Sequence, residues 1–132
     1  MYKSIFQRQA RKIEHATEKK RNMVILESIL RCRQVSIHPH VYSDKVDFEA
    51  VSSTKISTLS AMMKTHTKEK TVVFCHFRKE MELIRCHLID QGVCKEDAVV
   101  CLNGSSTNEQ RDAQLEYFKS QGSVLLIQIK MG

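Results

Sequence analysis

No run of this chain reaches 18 apolar residues, so no segment is long enough to read as a membrane-spanning helix. Its N-terminus has no apolar core of the kind a secretory signal needs, and no export is expected. C-x-x-C pairs are missing too. The five cysteines, Cys32, Cys75, Cys86, Cys94 and Cys101, are odd in number and their spacing is not that of a zinc site. Three of them fall in apolar-patterned segments, where a free thiol packs as a small hydrophobe. A reducing setting follows as the expectation: nucleus or cytoplasm, a viral factory included. His15, His38, His40, His66 and His87 are scattered, so no metal is expected. No nucleophile elbow or comparable context supports covalent catalysis. A G-x-x-x-x-G-K-[ST] loop and an acidic metal-binding box are both absent, so no nucleotide site assembles from these residues alone.

What is present suits a soluble globular domain with a modest core: 132 residues, 42% hydrophobic and 27% charged. The net charge of +6 is unevenly placed. Residues 1–34 carry nine Lys/Arg against three Asp/Glu, and residues 35–132 carry twelve of each. A basic segment ahead of a neutral domain suggests a polyanion partner, with Arg8, Arg11, Lys12, Lys19, Lys20 and Arg21 as candidate phosphate contacts. A solvated helix face is the alternative, and charge alone favours it.

Apolar spacing predicts a helix over 2–20, with Ile5, Ala10, Ile13 and Ala16 on one stripe. A second helix, capped by Asn22, should bury Ile25, Leu26, Ile29, Leu30 and Val35 and stop at His38-Pro39. Residues 1–40 thus read as a basic helical lead-in and 41–53 as a linker. Residues 54–132 form a second region, opened by a Ser52-Ser53-Thr54 cap and a short helix with Ile56, Leu59 and Met63 inward. From Thr71 the rhythm changes. Thr71–Phe77 is a short apolar run rich in β-branched residues, as in a strand buried on both faces. Lys79–Gln91 has helical spacing, with Gly92 placed to end it in the left-handed conformation. Ala98–Leu102 reads as a strand. Thr107 and Gln110 form a capping box for a helix carrying Ala113, Tyr117 and Phe118, which Gly122 closes. Ser123–Ile129 is a third strand. Phe74, Phe77, Tyr117 and Phe118 are expected in the core.

The order βαβαβ implies parallel strands, right-handed crossovers and helices on both sheet faces. Ligands of such sheets sit beyond the carboxyl ends of the strands. Those ends are His76-Phe77-Arg78, Asn103-Gly104-Ser105 and Lys130-Met131-Gly132. The last strand has no helix or strand after it, so the chain is expected to be part of a longer protein.

Five local words, in order, narrow this generic pattern. ILRCRQVSIHP (29–39) resembles the "LRLRQxCxHP" block of Swi/Snf-type superfamily-two motors, and SSTKISTL (52–59) is similar to their "SSKLxxL" helix. TVVFCHF (71–77) resembles motif IV, "VLVFSQF"; LNGSSTNEQR (102–111) resembles "LDGSTxxxxR"; VLLIQIKMG (124–132) resembles the opening of motif V. The resemblance implies an α/β fold, a partial RecA-like parallel sheet from the second motor lobe of a DNA-dependent ATPase or helicase. It implies a parent that uses ATP and Mg, binds double-stranded DNA, and needs a first lobe and the rest of the second lobe as partners. Two departures stand out: Met131 replaces a small residue, and the arginine-bearing motif VI is absent. The chain alone is therefore expected not to hydrolyse ATP, and no catalytic residue is assigned.

For DNA, the resemblance implies backbone contacts from Gly104, Ser105 and Ser106, where amides precede a helix N-terminus. An ordinary Asn-Gly turn needing positive φ is the alternative. His76 and Gln128 occupy strand ends where the family carries DNA-contacting polar residues, with Arg78 and Lys79 as supplements. Lys19, Lys20 and Arg21 form the basic patch. Arg31, Arg33 and Gln34 are assigned to bracing between lobes, and Arg111 to an internal anchor. Lys130 and Gly132 open motif V. Two other functions stay open: a degenerate binding or regulatory module without ATPase activity, and an RNA helicase lobe.

Overall fold

Amphipathic spacing opens the chain as α1, Tyr2–Glu14, and a helical turn later α2 runs over Glu18–Ile37. The structure, a computed structural model, describes residues 1–46 and 53–129. It divides into two compact units, Met1–Ser53 and Thr54–Gly132.

In the first unit, α1 and α2 pack on each other, with Ile5, Gln9, Ser28 and Val35 buried. Gln9 and Ser28 hide from a binary pattern because they satisfy each other: the Ser28 hydroxyl donates to Gln9 Oε1 at 3.3 Å. Three expectations are corrected here. The first helix stops at Glu14 rather than residue 20. The second starts after Thr17, in extended conformation, so Asn22 lies inside a helix and caps nothing. The stripe Leu26, Ile29 and Leu30 is exposed, Leu26 at 68%. Its periodicity is real, but within this unit α1 covers a different side of α2. The stop at His38-Pro39 is observed: His38 is extended, Pro39 opens a short α3 (Pro39–Tyr42), and His38 Nδ1 accepts from His40 N–H at 3.0 Å. That turn of helix falls where a linker is expected. The Ser53 hydroxyl donates to the Ile37 carbonyl; Ser52 lies outside the described residues.

The second unit begins with α4, Thr54–Thr65, which buries Ile56 and Met63 and packs on α5, Arg78–Asp90. Three strands, β1 (Thr71–Cys75), β2 (Val99–Leu102) and β3 (Val124–Gln128), form one parallel sheet in the order β1-β3-β2. A short 3-10 turn, Glu96–Ala98, precedes β2, and α6 spans Asn108–Ser120. The crossovers β1→β2 and β2→β3 run in opposite directions, so right-handed connections put α5 and α6 on opposite faces. Leu115 and Phe118 of α6 pack on Val100, Leu102, Leu125 and Ile127.

Central β3 is buried as expected, Leu126 completely. Edge strand β1 is not: Val72 is 44% exposed and Phe74 63%, correcting the expectation of a strand covered on both faces. Register explains it. Val72 and Phe74 share a face with Leu125 and Ile127, but α6 covers that face only over β2 and β3. Tyr117 is also exposed and donates its hydroxyl to the Asp97 carbonyl at 3.0 Å. Two glycines have distinct reasons. Gly92 has φ 63° and ends α5, with Val93 N–H reaching Leu88 O at 2.9 Å. At Gly122 an added Cβ would meet the Phe118 backbone at 2.8 Å and Val100 at 3.2 Å, so only glycine lets α6 turn tightly back to the sheet.

Candidate nucleic-acid interface

The three strands end nearly level, because Cys75 pairs with Gln128 and Leu102 with Ile127. Beyond their carboxyl ends lies a cleft of about 230 Å³, lined by Leu102, Asn103, Gly104, Arg111, Ile127 and Gln128. Two of the expected contact residues, Gly104 and Gln128, therefore meet in one concavity.

The loop after β2 is internally bonded. Asn103 Oδ1 accepts from Ser105 N–H at 3.0 Å and from the Ser105 hydroxyl at 2.5 Å. Ser106 N–H donates to Asn103 O at 3.3 Å. The capping box is formed as expected: Gln110 N–H donates to Thr107 Oγ1 at 3.2 Å and Thr107 N–H to Gln110 Oε1 at 3.0 Å. The amides of Ser105, Ser106 and Thr107 are thus engaged within the loop, and a phosphate would have to displace one of these bonds to be cradled by them. Gly104 does not have positive φ, which corrects the turn-chemistry reason for a glycine there. A Cβ added at Gly104 would meet nothing within 4 Å. Neither backbone φ nor packing requires glycine here, and the space beside it is open.

Arg111, read from the sequence as an internal anchor, lines the cleft. The capping box fixes the first turn of α6, and Arg111 N–H closes it onto Thr107 O at 2.9 Å. The side chain is half-buried, and no carboxylate pairs with it among the described residues. A guanidinium without a counter-ion at the mouth of a parallel sheet is suited to a phosphate, which it can meet with two parallel N–H donors.

His76 follows β1, and its carbonyl accepts from Gln128 Nε2 at 3.4 Å. Its Nδ1 is buried without a hydrogen-bond partner, so contact with a ligand would fall to Nε2. Glu80 Oε2 accepts from the His76 and Phe77 amides at 2.8 and 3.2 Å, which fixes the entry into α5. This occupies the amides where an anion would otherwise approach that helix. Arg78 is exposed and Lys79 half-buried on the first turn of α5, and neither lines the cleft. The Cys75 thiol is pushed up to about 12, chiefly by burial and then by the Glu80 carboxylate, and so is inert.

The other expected residues lie elsewhere. Lys19, Lys20 and Arg21 are exposed near the start of α2. Arg31 is held inside its own unit, 3.9 Å from Glu27, 3.2 Å from Gln34 Oε1 and over the Tyr42 ring. Arg33 is half-buried on the same helix. Lys130 and Gly132 lie outside the described residues. Among the described residues no group of three His, Cys, Asp or Glu could hold a metal, and no helix is long and apolar enough to cross a membrane.

A parallel sheet of this order, with helices on both faces and a cleft at its carboxyl edge, is a RecA-like α/β domain. Residues 54–132 match the helicase conserved C-terminal domain, and the chain belongs to that family. Two structures from Sulfolobus solfataricus share the fold, each with a TM-score of 0.82 at 22% identity over the whole of this chain. They are the SWI2/SNF2 ATPase C-terminal domain and the SWI2/SNF2 ATPase core in complex with dsDNA. This chain spans 58% of the first and 28% of the second. No curated protein sequence matches it.

Proposed function

We propose that this chain serves a Swi/Snf-type, ATP-driven translocase of double-stranded DNA as part of its second motor lobe. The observation that carries this reading is the carboxyl-edge cleft, where Arg111 has no counter-ion, Gly104 leaves open space and Gln128 offers an amide. In it, Arg111 meets a backbone phosphate of the bound strand, Gly104 admits the close approach and Gln128 donates a further hydrogen bond. His76 lies beside them through its bond to Gln128. These are sequence-independent contacts, as suits a protein that moves along DNA.

The chain's own residues do not fit a nucleotide or Mg²⁺. They include no phosphate loop and, among the described residues, no metal-holding cluster. Nucleotide chemistry therefore belongs to other regions of the parent, the first lobe among them. The chain alone should show no ATP turnover above a boiled control after repurification. The ILRCRQVSIHP block and the likeness to a SWI2/SNF2 core favour DNA over the RNA-helicase reading. Competition of a labelled DNA duplex with unlabelled B-form DNA or A-form RNA tests this choice. Stronger displacement by DNA is expected, and stronger displacement by the RNA duplex would refute it.

A further inference from the structure

We propose that one face of α1, centred on Arg8, Arg11 and Lys12, is a second contact for the phosphate backbone of a duplex, on a different unit from the cleft. This rests on the DNA reading above and extends it.

Ser4, Gln7, Arg8, Arg11, Lys12 and His15 recur at three and four residues, so they share one side of α1. They line an open concavity of about 520 Å³. The opposite side of α1 buries Ile5 and Gln9 against α2, which fixes the direction in which the basic side points. Among the described residues Arg8, Arg11 and Lys12 make no ion pair. Glu14, the only acid on α1, stands three residues from Arg11 and does not pair with it. Where an acid stands close, cations on other helices do pair: Arg31 with Glu27, Arg85 with Glu96, Lys119 with Glu116.

The helix dipole accounts for part of this arrangement, because Arg11 and Lys12 lie in the last turn of α1. It does not account for Arg8, one turn earlier, nor for Gln7 on the same side. Ser4 donates its hydroxyl to Met1 O at 2.8 Å, and His15 Nδ1 lies 2.8 Å from Arg11 O. The donors left for a ligand are therefore Arg8, Arg11, Lys12 and Gln7. From residue 8 to residue 12 the helix rises roughly 6 Å, so the long Arg and Lys side chains can reach out to neighbouring phosphates of one strand.

Lys19, Lys20 and Arg21 make a poorer surface. Consecutive residues point about 100° apart around a helix, so no flat partner reaches all three. They also sit near the positive end of α2, where the dipole disfavours cations.

The test is the salt dependence of duplex binding by the full chain. With Arg8→Ala, Arg11→Ala and Lys12→Ala together, the log–log slope should fall by about 2.7, one phosphate being worth about 0.9. Lys19→Ala, Lys20→Ala and Arg21→Ala together should lower it by about 0.9 or less. Alanine keeps the helix, which circular dichroism checks, and the lysine versions of Arg8 and Arg11 should retain the slope. An unchanged slope in the α1 variant, with wild-type binding intact and Arg111→Ala weakened, overturns this inference and leaves the cleft standing. Absence of salt-dependent duplex binding by the wild type overturns the DNA reading itself. Retention on anionic vesicles that the α1 variant loses, with its duplex slope unchanged, assigns the face to a lipid surface and also overturns the inference.

Discussion

The two units of this chain divide their residues in opposite ways. The second unit buries its apolar side chains around Leu88, Leu126 and Cys75, and its exposed large ones are Met62, Val72, Phe74, Tyr117 and Ile129. The helical unit leaves Tyr2, Phe6, Leu26, Ile29 and Leu30 in the open and carries unpaired cations along α1. One unit holds itself together by its own core; the other presents surface. The lesson is that the same apolar periodicity has two meanings. It marks a core where the chain itself supplies a covering layer, and an uncovered face where it does not.

The largest expected effect tests that contrast. Leu126→Ala, at a fully buried position, should cost about 2–5 kcal/mol, read as a lower urea midpoint. Leu26→Ala should stay within about 0.5 kcal/mol. Equal costs would mean that α2 is covered after all.

Next comes the cleft. Arg111→Ala should weaken duplex binding by roughly 1.5–3 kcal/mol, one charge-assisted contact, with no change in the urea midpoint. A stability loss without a binding loss would return Arg111 to the anchoring role first expected of it.

Gly104 and Gly122, neither at positive φ, should then separate. Gly122→Ala forces a backbone contact at 2.8 Å and should cost about 1–3 kcal/mol in stability. Gly104→Ala meets nothing and should leave stability unchanged while reducing duplex affinity. If both variants lose only stability, Gly104 has a structural use and not an external one.

A further effect is alkaline. The folded Cys75 thiol keeps its proton up to about 12, whereas an unfolded thiol loses it from about 9. Between these values the unfolded state binds fewer protons, so stability should decline as pH rises from about 9 toward 12, and be unaffected below. A Cys75→Ala variant should lack this component of the decline, and its persistence there would assign it to other groups.

The sheet unit was legible because its signals are local. Gly92 ends α5 at positive φ, Thr107 and Gln110 close a capping box, and the strand–helix alternation dictates parallel pairing. Depth of burial was less legible. Phe74 carries the same β-branched context as Leu126, but strand order makes one an edge residue and the other central, and no single strand encodes its neighbours. The break after Glu14 was missed because His15-Ala16-Thr17 contains neither proline nor glycine. The Gln9–Ser28 pair was missed because burial of two polar groups depends on their meeting. In the site, Gly104 and Gln128 could be placed by the resemblance, whereas the exposure of Arg111 to the cleft depends on how α6 lies across the sheet.

The most direct test of the central claim is an amide chemical-shift map of the chain titrated with a short DNA duplex. The largest shifts are expected at Asn103, Gly104, Ser105, Arg111 and Gln128, with a second set along α1 at Gln7–Lys12. Shifts that leave the carboxyl edge of the sheet untouched would contradict it.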